Sequence, residues 1–168
     1  MKIGNFFKSK SSKLTMQERL FNEILVVAFI VSVVNIIGNI SISFPFEANY
    51  KWFFMVILTL IVHRYKHYTE WIRFGFVALI ITVLLPLGWY NSGANNNNVI
   101  AYVFLIIVAV SFLFNGNKRA VLLSSILLIF ISFVIIEFKF PEMLPAYSAK
   151  LVFLDRLLQI PLEIISCY

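Results

Sequence analysis

The feature that most constrains this chain is a series of apolar runs too long for strands and without period-two alternation. They read "ILVVAFIVSVVNIIGNISI", "WFFMVILTLIV", "FGFVALIITVLLPLGWY", "VIAYVFLIIVAVSFLF" and "AVLLSSILLIFISFVII", separated by short polar segments. Runs of this kind form membrane helices, because a helix satisfies its own backbone donors and acceptors where no water can. Composition agrees. The chain is 61% hydrophobic and 13% charged, whereas a soluble domain carries about 25% charged residues and about 45–50% apolar ones. That surplus cannot be hidden in one core of 168 residues, because small domains keep too much surface. The expected fold class is all-α, a polytopic membrane helix bundle with five clear spans and a partial sixth helix.

The expected boundaries follow from the polar punctuation. Residues 1–14 form a basic, serine-rich, flexible cytoplasmic N-terminus, and residues 15–168 form the helical membrane domain. "TMQE" opens the first helix as a capping box, with Thr15 and Glu18 closing its first free backbone donors. This helix enters the membrane from about Ile24 to Ile42, and "FPFEANY" breaks it. The second span, between Tyr50 and Arg64, reaches only ~22 Å at helical rise, short of a ~30 Å hydrocarbon core. Lys51 and Arg64 would snorkel across the mismatch. The third span runs from Phe74 to Tyr90, with a kink expected at Pro86, whose missing N–H frees a carbonyl one turn back. "NSGANNNN" is a loop, Val99 to Phe114 the fourth span, and Ala120 to Ile136 the fifth. Gly116 in "NGNKR" is placed to end a helix. The final segment, from Leu151, draws Asp155 and Arg156 into any full crossing. A sixth helix is therefore expected to be incomplete or to lie partly in the interface, as in a truncated product.

Lysines and arginines set the orientation. With the N-terminus cytoplasmic, one side receives Lys2, Lys8, Lys10, Lys13, Arg19, Arg64, Lys66, Arg73, Lys118 and Arg119. The other receives Lys51, Lys139, Lys150 and Arg156. An N-terminus inside follows. The net charge of +6 lies beside the apolar runs, where it meets anionic lipid, so nucleic acid is not an expected partner. The single cysteine, Cys167, has no internal partner, and no cysteine–histidine pattern implies a metal or cofactor. No nucleophile–base pair marks an enzyme.

Several residues attract a functional reading. His63, His67 and Glu70 are spaced as one helical face, yet the surrounding Arg64, Lys66, Tyr65 and Tyr68 favour an ordinary interface helix over a metal site. Asn35, Gly38 and Asn39 lie within the first span, where small and amide residues most often serve helix contacts. The better ligand-binding candidates face the outer compartment: Trp89, Tyr90, Glu137, Glu142, Tyr147 and Asp155. Together these aromatics and carboxylates would close a small-molecule or cation pocket over the bundle mouth. The plain alternative is solvated loops and an aromatic belt.

Five stretches carry a resemblance. They are "LTMQERLFNEILVVAF", "NIIGN", "LLPLGWYNSGANNNN", "FNGNKR" and "EFKFPEMLPAYSAKLVFLDRLL". The chain resembles the multi-helix N-terminal input region of bacterial sensor histidine kinases, also found on GGDEF-type diguanylate cyclases. The resemblance implies a sensor module in the bacterial inner membrane whose last helix leads into a cytoplasmic kinase or cyclase part. No phosphoacceptor histidine region, ATP-binding glycine box or GGDEF motif stands in this sequence. The expected partners are the lipid bilayer, a second copy of the chain, and an unidentified small ligand or membrane stimulus. A small stand-alone membrane protein, such as a transporter subunit or accessory partner, is the competing class. It is weakened by the absence of an internal repeat and of charges deep in spans two to five.

Overall fold

The computed structural model describes residues 15–65, 69–91 and 99–144, with Phe153 beyond them. Five longer helices account for nearly all of this: α1 (Met16–Ser41), α2 (Tyr50–His63), α3 (Glu70–Asn91), α4 (Val99–Leu113) and α5 (Gly116–Lys139). Short 3-10 turns at Phe46–Asn49 and Pro141–Met143 follow α1 and α5. No strand occurs among the described residues.

The ends of α1 show how local sequence sets an element. At its start the Glu18 N–H donates to Thr15 Oγ1 at 3.3 Å and the Thr15 N–H donates to the Glu18 carboxylate at 2.8 Å. This is the expected capping box. At its end the Phe44 N–H reaches the Asn39 carbonyl at 2.9 Å and the Ser43 N–H reaches the Ile40 carbonyl at 3.2 Å. That pair of bonds is a Schellman motif, and Ser43 takes its left-handed position with φ 55. Pro45 follows and cannot continue a helix. The chain then reverses, and α1 and α2 pack as an antiparallel hairpin.

The helix starts come together at one end. Arg73 Nη1 of α3 donates to Gln17 Oε1 of α1 at 3.3 Å, and Lys118 of α5 pairs with Glu70 of α3 at 2.8 Å. The Lys118 ammonium also lies 4.3 Å from the centroid of the Trp71 ring. α1, α3 and α5 therefore run in one direction, with α2 and α4 returning between them. Glu70 does not continue α2. The helix stops at His63, and Thr69 caps a new one by accepting from the Ile72 N–H at 3.4 Å. The one-face spacing of His63, His67 and Glu70 expected from the sequence is broken there, and His67 lies outside the described residues.

Large apolar side chains cover the surface as well as the core, and several polar groups are buried. Ser32, Asn35, Asn39, Asn49, Thr59 and Arg73 are buried, while Ile37, Ile57, Phe104, Phe112 and Leu128 stand outward. Along α4 the exposed Phe104, Val108 and Phe112 repeat every fourth residue, opposite the buried Val103, Val110 and Leu113. Apolar surface on this scale is disfavoured in water and ordinary in lipid. Helix hydroxyls close on their own backbone: Ser32 on Ala28, Thr82 on Ala78, Ser111 on Ile107 and Ser132 on Leu128. None of those donors needs water.

Among the described residues, three helices are long and apolar enough to cross a membrane: Met16–Ser41, Glu70–Asn91 and Gly116–Lys139. The chain has the character of a membrane protein, with three such helices where five clear spans were expected. With 14 residues in α2 and 15 in α4, those two reach only ~21 Å and ~23 Å at helical rise. α3 and α5 begin earlier than their apolar runs, at Glu70 and Gly116, because their polar first turns lie outside the hydrocarbon and still form helix. The expected sixth helix and the N-terminal 1–14 segment lie outside the described residues, except for Phe153.

Candidate functional site

Two polar clusters emerge, one at each end of α3. The one at its C-terminal end is set by Pro86. A proline ring clashes with the carbonyl four residues back and offers no N–H to it. Here the preceding turn, Ile80–Leu84, is widened to a π-helix, and the Leu85 N–H donates to the Ile80 carbonyl five residues earlier. The helix thus accommodates Pro86 by a π-turn, a local form of the expected kink. The widened turn delays the helix by one residue and brings Trp89 inward.

Trp89 is 4% exposed and stacks on Phe133 of α5, with ring centroids 4.4 Å apart and planes 2° from parallel. Its indole nitrogen is sealed and has no hydrogen-bond partner among the described residues. A buried donor left unmade costs about 1–3 kcal/mol, so this N–H is a standing demand for an acceptor. Glu137 lies one turn beyond Phe133 on α5, on the same side of the helix. It is half-buried and already engaged. Tyr90 and Glu142 are exposed, and Tyr147 and Asp155 lie outside the described residues. Of the six candidates, only Trp89 is buried in the α3–α5 interface among the described residues, and Tyr90 and Glu142 are exposed. Trp89 is a buried stacking residue there, where an aromatic-belt residue would face the interface.

Beside this lies the seam of the α1–α2 hairpin. Asn39 Nδ2 donates to Asn49 Oδ1 at 3.0 Å, and Asn35 Nδ2 donates to the Val31 carbonyl at 2.8 Å. The Asn49 Nδ2 group is buried without a partner among the described residues. The packing reading of Asn35, Gly38 and Asn39 fits this seam, and all three are buried on one face of α1. Asn49 escaped sequence reasoning. Its signal was a lone amide immediately before an apolar run, in "EANYKWFF".

The cluster at the N-terminal end of α3 was also missed. Arg73 is 6% exposed, with its Nε sealed and unpartnered among the described residues. "TEWIR" held the clue, since a cation four residues beyond a threonine cap falls inside the helix's first turns. Among the described residues no group of three or more histidine, cysteine or carboxylate side chains is placed to hold a metal ion. The chain matches no family model, and comparison with curated proteins and with solved structures gives no match either.

Proposed function

We propose that the chain is an integral membrane sensor or input module of a two-component-type signalling receptor. In this reading α1 to α5 all cross the membrane, with the N-terminus cytoplasmic by the bias of lysines and arginines. The short α2 completes its crossing through Lys51 and Arg64, whose long stems let the charges reach the interfaces. The setting is a bacterial inner membrane, as the resemblance implies. A small ligand or membrane stimulus acts at the outer end and the response leaves at the inner end.

One observation carries the proposal: a single helix, α3, links two under-satisfied polar clusters through a π-turn. Its outer half carries the Trp89 stack on Phe133, and its inner half carries Arg73 against Gln17 and Glu70 against Lys118. A π-turn differs from α-helix by one residue of register, so converting it rotates one half of α3 against the other. A ligand that supplies an acceptor to the Trp89 N–H would favour one of those registers, which is the differential affinity that any switch requires.

The test joins the chain, after Tyr168, to a histidine-kinase catalytic core and reconstitutes the fusion in proteoliposomes. Replacing Pro86 by Ala removes the reason for the π-turn and should move basal autophosphorylation away from wild type. Trp89→Phe should keep the stack and lose the response to any stimulus that changes wild-type output. Kinase output identical in wild type, Pro86→Ala and Trp89→Phe, with each fully inserted, would reject the sensor reading. It would leave a stand-alone transporter subunit or accessory protein.

A further inference from the structure

The inner cluster carries a second site, independent of the sensor reading. We propose that Arg73 binds a phosphate-type oxoanion at the end of the bundle where α1, α3 and α5 begin. The guanidinium is buried and cannot shed its charge, since arginine stays protonated at any accessible pH. A buried charge is tolerated only when paired and hydrogen-bonded. Here the guanidinium's one partner among the described residues is a neutral oxygen, Gln17 Oε1, at 3.3 Å. That is long for a charge-assisted bond, which normally closes to about 2.7–2.9 Å. Nε is sealed without a partner among the described residues.

Among the described residues no carboxylate supplies the missing counter-charge. Of the acidic residues, Glu70 is nearest in sequence, three positions before Arg73 on α3, and it is held by Lys118 at 2.8 Å. Glu18 is committed to the Thr15 cap, and Glu23 is exposed. Glu47, Glu137 and Glu142 belong to the opposite end of the bundle. Neither residues 1–14 nor residues 66–68 contain an aspartate or glutamate, and the two remaining acids, Asp155 and Glu163, lie outside the described residues. The near end of the molecule is therefore rich in cations and has no free acid among the described residues. Beside Arg73 lies the first turn of α1, the positive end of the helix dipole, which the Thr15–Glu18 box already caps. Guanidinium and helix start meet at Gln17. A tetrahedral oxoanion accepts from the planar fork in two-pronged fashion, which a halide cannot do.

The oxoanion has two sources, a lipid headgroup phosphate in the inner leaflet or a soluble phosphate ester. The full chain, purified in a neutral detergent, is challenged with inorganic phosphate in one arm. In the other it is placed in nanodiscs of phosphatidylcholine with and without phosphatidylglycerol, and retained lipid is counted by native mass spectrometry. Arg73→Gln should lower retention of the anion by about tenfold, the loss expected for one charge-assisted pair. Arg73→Lys keeps the charge and loses the fork, and should fall between. Arg119→Gln, at an exposed cation on α5, should retain the wild-type value. Retention of phosphatidylglycerol with no effect of inorganic phosphate identifies the headgroup as the ligand. A phosphate-dependent rise in thermal stability without lipid preference identifies a soluble ester. If Arg73→Gln does not insert, the Arg73→Lys comparison carries the test. Retention equal in wild type and Arg73→Lys, or no anion bound in either arm, overturns the site.

Discussion

Two residues hold left-handed backbone, and they make opposite predictions. Ser43 sits at the C′ position of α1 with φ 55, where a side chain costs about 1–2 kcal/mol relative to glycine. Ser43→Gly should stabilise the protein by about 1 kcal/mol, since glycine's greater freedom in the unfolded chain offsets part of the gain. Unfolding in mixed micelles would measure it, and a loss of stability would show that the serine hydroxyl matters more than its backbone. Gly116 has φ +57, and a Cβ built there meets nothing within 4 Å. Space is free, so Gly116→Ala should cost only the torsional term, about 1 kcal/mol. Gly116 was expected to end a helix, whereas it opens α5 after the short Phe114–Asn115 break; the left-handed serine was not legible, because that position is normally read from glycine or asparagine. The Asn39–Asn49 bond also belongs to this scale. Bonds of this kind inside membrane proteins couple by about 0.6 kcal/mol on average. Replacing either asparagine by leucine should therefore cost more than half of what the double replacement costs, because each single change strands a buried amide.

At the scale of elements the apolar runs gave the five longer helices among the described residues, and the Thr15–Glu18 box gave the start of the first, whereas the starts of α3 at Glu70 and α5 at Gly116 were not read. The length of the second run already showed a shortfall, and α2 keeps it at 14 residues. The form of α3 was harder to read. Proline in a helix announces a disturbance, but the sequence does not say whether the backbone will bend, open to solvent or widen. Lipid and neighbouring helices leave no water for the freed carbonyl, so widening to the π-turn Ile80–Leu84 is the solution seen here. The register it imposes decides which side of α3 reaches α5, and so decides that Trp89 and not Tyr90 is buried. Pro86→Ala should let α3 relax toward continuous α-helix and turn Trp89 by about 100° from Phe133, the rotation of one helical residue. In a variant with Trp52 and Trp71 replaced by phenylalanine, the remaining tryptophan should then become accessible to a lipid-borne quencher. Unchanged quenching after Pro86→Ala would show that the stack, rather than the proline, holds the π-turn.

Across the whole molecule the outer candidates were legible as residue types but not as partners. Phe133, which stacks on Trp89, is one phenylalanine in a run of apolar residues, and only packing singles it out. Orientation is the property that sequence and structure address together. Helix directions place Arg64, Arg73, Lys118 and Arg119 at one end, and Lys51 and Lys139 at the other. Cations concentrate on the cytoplasmic side because they resist translocation, so the end holding the starts of α1, α3 and α5 should be cytoplasmic. Single cysteines placed in a Cys167→Ser background read this directly in intact cells. Glu47→Cys, Asn96→Cys and Glu142→Cys should react with a membrane-impermeant maleimide added outside. Asn117→Cys, in the first turn of α5, should react only after the membrane is opened. Because α4 reaches only ~23 Å, Asn96 and Asn117 form the sharpest pair: if α4 crosses, they must label from opposite sides. Labelling of both from outside would mean that α4 lies along the interface, leaving the molecule anchored by its three long helices alone. Asn96 reacting only from the cytoplasm would invert the topology.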